Sequence, residues 1–116
     1  MKRIASIQDV SCLGRCSQTV ALPVVSAMGV ECAILPTAVL STHTSFPDFH
    51  CLDLTDQLLP VARHWKAQGV RFDALYTGYL ASDRQVAVVL ELLELLREEG
   101  TLLFVDPAMA DHGKLY

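Results

Sequence analysis

No stretch of the chain approaches the roughly 18 consecutive apolar residues that a membrane-crossing helix needs. The opening MKRIASIQDV is also too short in its apolar run for a signal peptide, because Gln8 and Asp9 interrupt it. The expected location is therefore cytoplasmic, with no membrane partner. Basic residues are few and dispersed: nine Lys+Arg face thirteen Asp+Glu, for a net charge of -4. A nucleic-acid or anionic surface partner calls for clustered basic side chains, so that class is excluded. Glycine-rich phosphate loops are missing too. The chain contains neither G-x-G-x-x-G nor G-x-x-x-x-G-K-[ST]. A dinucleotide fingerprint and a Walker-type loop are thereby excluded, and any nucleotide phosphate must be held another way. Of four cysteines, Cys12 and Cys16 form one close pair, with His43, His50 and Cys51 as the remaining zinc donors on paper. Without a second close pair or an H-x3-H, that set is too sparse for zinc, and the thiols read as reduced apolar or loop residues. Repeats, linkers and low-complexity tracts are likewise absent.

What the chain does have is apolar content, 52% over 116 residues. A domain this small leaves much of its surface exposed, so such a composition calls for cover. The expectation is that the chain stops at Tyr116 before its domain is complete. It should be poorly soluble or oligomeric by itself. Strand and helix signals alternate along it. Arg3 to Ile7 reads as a buried strand. Ser17 is placed to cap a helix running to about Met28, with Val20, Val24, Ala27 and Met28 on its apolar face, Pro23 bending it and Gly29 stopping it. Glu31 to Leu35 is a second strand, ended by Pro36. Residues 41–53 are polar, aromatic and aperiodic, and read as a loop. Leu54, Leu58, Val61, Ala62 and Trp65 recur at helical spacing before Gly69, with Pro60 unsettling the first turn. Asp73 to Thr77 is a third strand. Ser82 and Gln85 fit a capping box whose Gln reaches back to the cap. Val86, Val89, Leu90, Leu93 and Leu96 supply the apolar face of the helix that follows. Thr101 to Val105 is a fourth strand, stopped by Pro107. This alternation specifies an α/β fold, three layers α/β/α around a mostly parallel sheet, and 1–116 is expected to be its first, four-stranded part, with a bare edge.

In such a sheet, ligands bind beyond the carboxyl ends of the strands. Four segments lie there: Gln8 to Ser11, Ser41 to Thr44, Gly78 to Leu80, and Asp106 to Asp111. Asp106 and Asp111 bracket a proline-containing turn, and two carboxylates suit a divalent ion beside a phosphate. The alternative is a turn cap and a solvated side chain. His43 offers a hydrogen bond to a ligand heteroatom or is merely solvated. Tyr79 stacks on a ring or packs under a loop. Asp9 accepts from a ligand hydroxyl or ring N–H, or caps a turn.

At these same segments the sequence resembles the pyridoxal kinase family of the ribokinase-like superfamily. Ser6-Ile7-Gln8 leading to Gly14 resembles its first strand and substrate loop. Leu40 to Thr44 resembles its Phe-Ser-Asn-His-Thr stretch, and Thr77-Gly78-Tyr79 its Thr-Gly-Tyr turn. Val105 to Asp111, followed by Gly113 to Tyr116, resembles its Asp-Pro-Val-Met-Gly-Asp motif. The resemblance runs from about Ile4 to the last residue. It implies a ribokinase-like fold and transfer of phosphate from MgATP to the 5′-hydroxymethyl of pyridoxal, pyridoxine or pyridoxamine. Asp9, His43, Thr44 and Tyr79 would line the ring site. Asp106 and Asp111 would lie on the ATP and Mg2+ side, directly or through water. A monovalent cation and a homodimer in the full-length enzyme are further implications. Asp9 stands where many members carry Ser, and Ala110 replaces the glycine before Asp111. The family's catalytic aspartate belongs to a Gly-x-Gly-Asp motif at a helix N-terminus, and no such motif occurs in this chain. No catalytic residue is therefore expected within 1–116, and the chain alone is expected to be inactive. The competing expectations are a hydroxymethylpyrimidine kinase of the same superfamily, or a non-catalytic binder of a pyridine ligand. A receiver-like domain is disfavoured, because no paired acids follow the first strand.

Overall fold

The computed structural model describes residues 1–116. Strand β1 (Arg3–Ser11) sits at the centre of a five-stranded sheet between β2 (Glu31–Leu40) and β4 (Ala74–Thr77). The edges are β3 (Cys51–Asp53) and β5 (Leu102–Val105). Pairing is parallel everywhere except between β2 and β3. Helix α1 (Gln18–Ala27) packs on β1 and β2. Helices α2 (Thr55–Ala67) and α3 (Asp83–Leu96) pack on each other. From β1 the chain steps one way to β2, then returns over β1 to β4 and β5. Right-handed crossovers in opposite directions place α1 on one face and α2 with α3 on the other. No helix is long and apolar enough to cross a membrane.

The main core lies under α2 and α3. Leu58 and Ala62 of α2 meet Val89, Leu92, Leu93 and Leu96 of α3 above Ala5, Ile7, Leu35 and Leu75 of the sheet. Each fully buried Leu or Val there contributes roughly 1.5–3 kcal/mol. The other face of β1 is polar beneath α1. Gln18 Nε2 donates to the carbonyls of Ser6 (2.6 Å) and Gln8 (3.2 Å), and Gln8 Nε2 donates to Ser6 Oγ.

Several elements depart from the sequence expectation. Strand β1 continues to Ser11, so Gln8 to Ser11 belong to a strand and not to a loop. Strand β2 passes through Pro36 to Leu40. Pro36 pairs with Gln8, and the register then shifts, Val10 facing Val39. One extra residue in β2 makes a bulge, a setting in which a residue without an N–H is tolerated inside a sheet. Within the expected loop, β3 adds a fifth, antiparallel strand, Ala38 facing Asp53 and Leu40 facing Cys51. Past Pro107, β6 (Ala110–Asp111) and β7 (Lys114–Leu115) form a hairpin where a plain turn was expected. Pro60 lies inside α2.

The rotations of two helices also differ. Val20, Val24, Ala27 and Met28 are exposed, while Gln18 is buried. Helix α1 is apolar nearly all round, so periodicity does not select its face; the Gln18 bonds to β1 do. In α3, Leu92 is buried with Val89, Leu93 and Leu96, whereas Val86 and Leu90 are exposed. Ser17 makes no side-chain cap. Its φ is 51° and its hydroxyl donates to Asp9 Oδ1 at 2.8 Å. Ser82 does cap α3, its Oγ accepting from Gln85 N–H at 3.1 Å. The Gln85 Oε1 reaches back to Ala81 N–H, one residue before the cap, while its Nε2 points inward to Thr37 and Thr55. At the sheet edge, Leu102, Leu103, Phe104 and Val105 of β5 are all exposed, so the expected bare edge is present.

Candidate functional site

The connection leaving β1 goes to α1 on one face, and the connection leaving β4 goes to α3 on the other. The carboxyl ends of these neighbouring strands therefore splay apart, which is where open α/β sheets bind ligands. A cavity of about 530 Å³ opens there, well within the size of small-molecule sites. Its floor is Asp9 and Ser11 of β1 with Thr37, Ala38 and Leu40 of β2. Thr44, Phe49 and Cys51 close one side. Tyr79 and Ala81 close another, and Asp111 and Tyr116 of the hairpin region hang over the mouth.

Asp9, Thr44, Tyr79 and Asp111 are thus gathered round one cavity. Asp9 is half-buried, and its Oδ1 takes the Ser17 hydroxyl. Tyr79 is stacked at a tilt against Tyr116, ring centres 4.5 Å apart. The pair forms an aromatic wall, an arrangement suited to a flat ring ligand. Asp111 Oδ1 accepts from His112 N–H at 2.8 Å, and the His112 ring lies 3.6 Å from Oδ2. Desolvation pushes the Tyr116 phenol up from its ordinary range, and Asp111 and then Tyr79 push it further. Burial likewise raises the Cys51 thiol, with Asp53 and Asp9 adding to it. Both groups are held neutral in this acidic surrounding.

His43 is not among the residues lining the cavity. Its Nδ1 accepts from Ser45 N–H at 3.2 Å, its backbone N–H bonds Leu13 O, and its ring meets Phe46 edge-on. A Cβ added to Gly14 would collide with that ring, and Gly14 has φ +108°. His43 therefore braces the loop that presents Thr44. Asp106 lies apart from Asp111. It lines a second cavity, about 430 Å³, on the α1 side with Gln8, Ser17, Gly78 and Tyr79. Ser17 and Tyr79 line both cavities and form the partition between them. No three His, Cys, Asp or Glu side chains come together to hold a metal ion. Mg2+ keeps several waters and leans on substrate phosphates, so Asp9 and Asp111 on the first cavity and Asp106 on the second, without a third ligand beside them, fit only a metal that arrives with a nucleotide.

Sequence reasoning passed over Thr37 and Phe49, set Cys51 aside as a zinc donor, and gave Gln85 and Tyr116 no place at the cavity. Gln85 carried a signal, its place in the capping box, but the signal pointed to the helix and not to the cavity. It is 1% exposed. Its Oε1 accepts from Ala81 N–H at 2.8 Å, and its Nε2 donates to Thr37 O at 3.2 Å and Thr55 Oγ1 at 3.1 Å. It ties the segment after Tyr79 to β2 and α2.

No family model matches the chain. Among curated proteins, a pyridoxine/pyridoxal/pyridoxamine kinase of Bordetella avium is 31% identical over 95% of this chain and 40% of its own length. A protein of Schizosaccharomyces pombe described as a pyridoxal kinase is 27% identical over 99% of this chain and 38% of its own. Among solved structures, one from Bacteroides thetaiotaomicron, described as a phosphomethylpyrimidine kinase and crystallised with pyridoxal, superposes with a TM-score of 0.93. It is 46% identical over 99% of this chain and 40% of its own. Pyridoxal kinase from Lactobacillus plantarum gives a TM-score of 0.85 at 34% identity, over 100% of this chain and 41% of its own. Pyridoxal kinase from Leishmania donovani in complex with ADP and pyridoxamine gives 0.84 at 25% identity, over 100% and 44%. The chain spans about 40% of the length of the curated relatives it matches. Across that span it is a homologue of the pyridoxal kinases and of the phosphomethylpyrimidine kinase, and its backbone matches the corresponding part of their ribokinase-like fold.

Proposed function

We propose that the protein to which this segment belongs is an ATP-dependent kinase of vitamin B6, phosphorylating the 5′-hydroxymethyl of pyridoxal, pyridoxine or pyridoxamine. The observation that carries this reading is the switch-point cavity with Asp9, Thr44, Tyr79 and Asp111 around it. Its support is the 46% identical neighbour crystallised with pyridoxal, together with relatives named for pyridoxal kinase activity. The pyridine ring would lie against the Tyr79–Tyr116 wall. Asp9 and the Thr44 hydroxyl would bond its polar edge, and His43 would hold the Thr44 loop in place. Asp106, across the Ser17–Tyr79 partition, would face the phosphates of ATP. Asp111 at the mouth would help hold Mg2+, which offsets phosphate charge when bound.

Phosphoryl transfer depends on positioning and on charge stabilisation at the moving phosphate. Residues 1–116 would supply the first of these for the acceptor alcohol. The base that deprotonates it is assigned to a Gly-x-Gly-Asp segment, which this sequence does not contain. On this reading residues 1–116 are one part of a single ribokinase-like domain. The whole enzyme is a cytoplasmic homodimer that uses ATP, Mg2+ and a monovalent cation. A second reading, a hydroxymethylpyrimidine kinase, is favoured by the description of the Bacteroides thetaiotaomicron neighbour. The test is to titrate the purified chain with pyridoxal and follow the ligand's absorbance, then compete with hydroxymethylpyrimidine. A saturable change supports the ring site. Its absence sinks the assignment, and stronger binding of the pyrimidine transfers it to the second reading.

A further inference from the structure

The ring cavity is one-sided in charge. Asp9 and Asp111 line it, and no Lys, Arg or His side chain does. The two carboxylates are not equivalent. Asp111 ends the exposed hairpin strand β6, occupied by its bond to His112 N–H and close to the His112 ring. Asp9 projects from β1, the central strand, whose backbone is paired on both sides of its first half and continues against β2 at Val10 and Ser11. A carboxylate can accept about four hydrogen bonds, and Asp9 receives one, from Ser17 Oγ to Oδ1. Oδ2 has no protein donor. The negative field of Asp9 also reaches the far side of the cavity, since it contributes to the raised thiol of Cys51 on β3. A half-buried, strand-borne acid with a free oxygen and no cation nearby is complementary to a ligand that brings its own positive charge.

We infer that Asp9 makes this cavity selective for ring ligands bearing a protonated amine, so that pyridoxamine is held in preference to pyridoxine. The two differ only in the substituent at the 4′ carbon, aminomethyl against hydroxymethyl, and share the ring nitrogen. A discrimination between them therefore reports on the amine alone. A charge-assisted hydrogen bond is roughly twice as strong as a neutral one, which sets the expected preference at about tenfold, or about 1.4 kcal/mol. The inference rests on the B6 reading of the cavity, and the experiment separates the two.

The 116-residue chain is titrated with pyridoxamine and with pyridoxine at neutral pH, as wild type and as Asp9→Asn. The expected result is a preference of about tenfold for pyridoxamine in the wild type. Asp9→Asn should reduce it to within about twofold. Raising ionic strength from roughly 0.05 to 0.5 M should shrink the wild-type preference, because the charge interaction is partly screened. That arm holds even if Asp9→Asn does not fold. Saturable binding of both vitamers with equal affinity overturns the inference while leaving the B6 reading standing. So does a preference that persists in a folded Asp9→Asn or is indifferent to salt. Saturable binding of neither vitamer overturns both.

Discussion

Replacing Gln85 by Ala should destabilise the chain by about 2–4 kcal/mol. The side chain is 1% exposed and makes three bonds, to Ala81 N–H at 2.8 Å, Thr55 Oγ1 at 3.1 Å and Thr37 O at 3.2 Å. Each such bond is worth about 0.5–1.5 kcal/mol net, and a buried partner left unsatisfied costs more. Total stability of a domain is only about 5–15 kcal/mol. At roughly 4 °C per kcal/mol for a chain of this size, the melting temperature should fall by about 10 °C. Urea unfolding followed by far-UV circular dichroism measures the loss directly, and the slope with denaturant should stay unchanged. A companion, Gln85→Glu, tests the direction of the bonds. The carboxylate still accepts from Ala81 N–H, but it meets the Thr37 carbonyl with an acceptor and buries a charge. Its folded pKa would lie above its unfolded value. Its penalty should therefore be largest at neutral pH and shrink as pH falls and the donor returns. A loss below about 0.5 kcal/mol for Gln85→Ala, or a Glu variant more stable at neutral pH than wild type, would refute the account of this network.

Gly14→Ala places a Cβ against the His43 ring at a backbone of φ +108°. It should cost more than about 1 kcal/mol and weaken pyridoxal binding through the Thr44 loop, read by urea midpoint and ligand absorbance. Leu102→Lys with Phe104→Lys puts charge on the exposed edge strand β5. Sedimentation should then show less self-association than in the wild-type chain; equal association would remove the edge as its cause. Asp73 is held below the ordinary carboxylate range first by the Arg3 N–H bond, and Glu98 first by Arg71. Both folded values lie below the unfolded ones. Their contributions are thus complete above about pH 4–5 and lost as pH falls through the depressed values. Asp73→Asn should flatten the acid side of the stability profile; an unchanged acid limb would count against it. In a protein carrying this segment with its remaining domain, Asp111→Asn should raise the KM for MgATP more than that for the vitamer. Unaltered ATP kinetics would end its proposed role.

The main strands were legible because apolar runs are punctuated by Gly and Pro. The rim followed from topology alone. Alternation of strand and helix fixes which strand ends face one way, and Asp9, Thr44, Tyr79 and Asp111 all fall there. What could not be read depends on contacts between distant residues. Strand β3 is Cys-Leu-Asp, too short to carry a period, and it exists because Leu40 and Val39 of β2 offer it a ladder. The face of α1 is decided by one polar residue, Gln18, seeking two carbonyls of β1. His43 looked like a ligand contact because it is polar and on the rim. Its ring instead fills the space that Gly14 leaves.

The central place of β1 has a consequence for how the chain is made. Strand β1 leaves the ribosome before both of its neighbours, and β2 soon pairs with one of its edges. Its other edge waits for β4. Arg3 N–H bonds Asp73 across a separation of 70 residues, and Ile4 to Ile7 pair with Ala74 to Thr77. At about 5–20 residues per second, synthesis leaves that edge open for roughly 4–14 s. During that interval the half-made sheet presents unpaired amides along Ala5, Ser6 and Ile7, residues that later become fully buried. Substitutions along β1 should therefore act on the yield of folded protein in the cell before they act on its stability once folded.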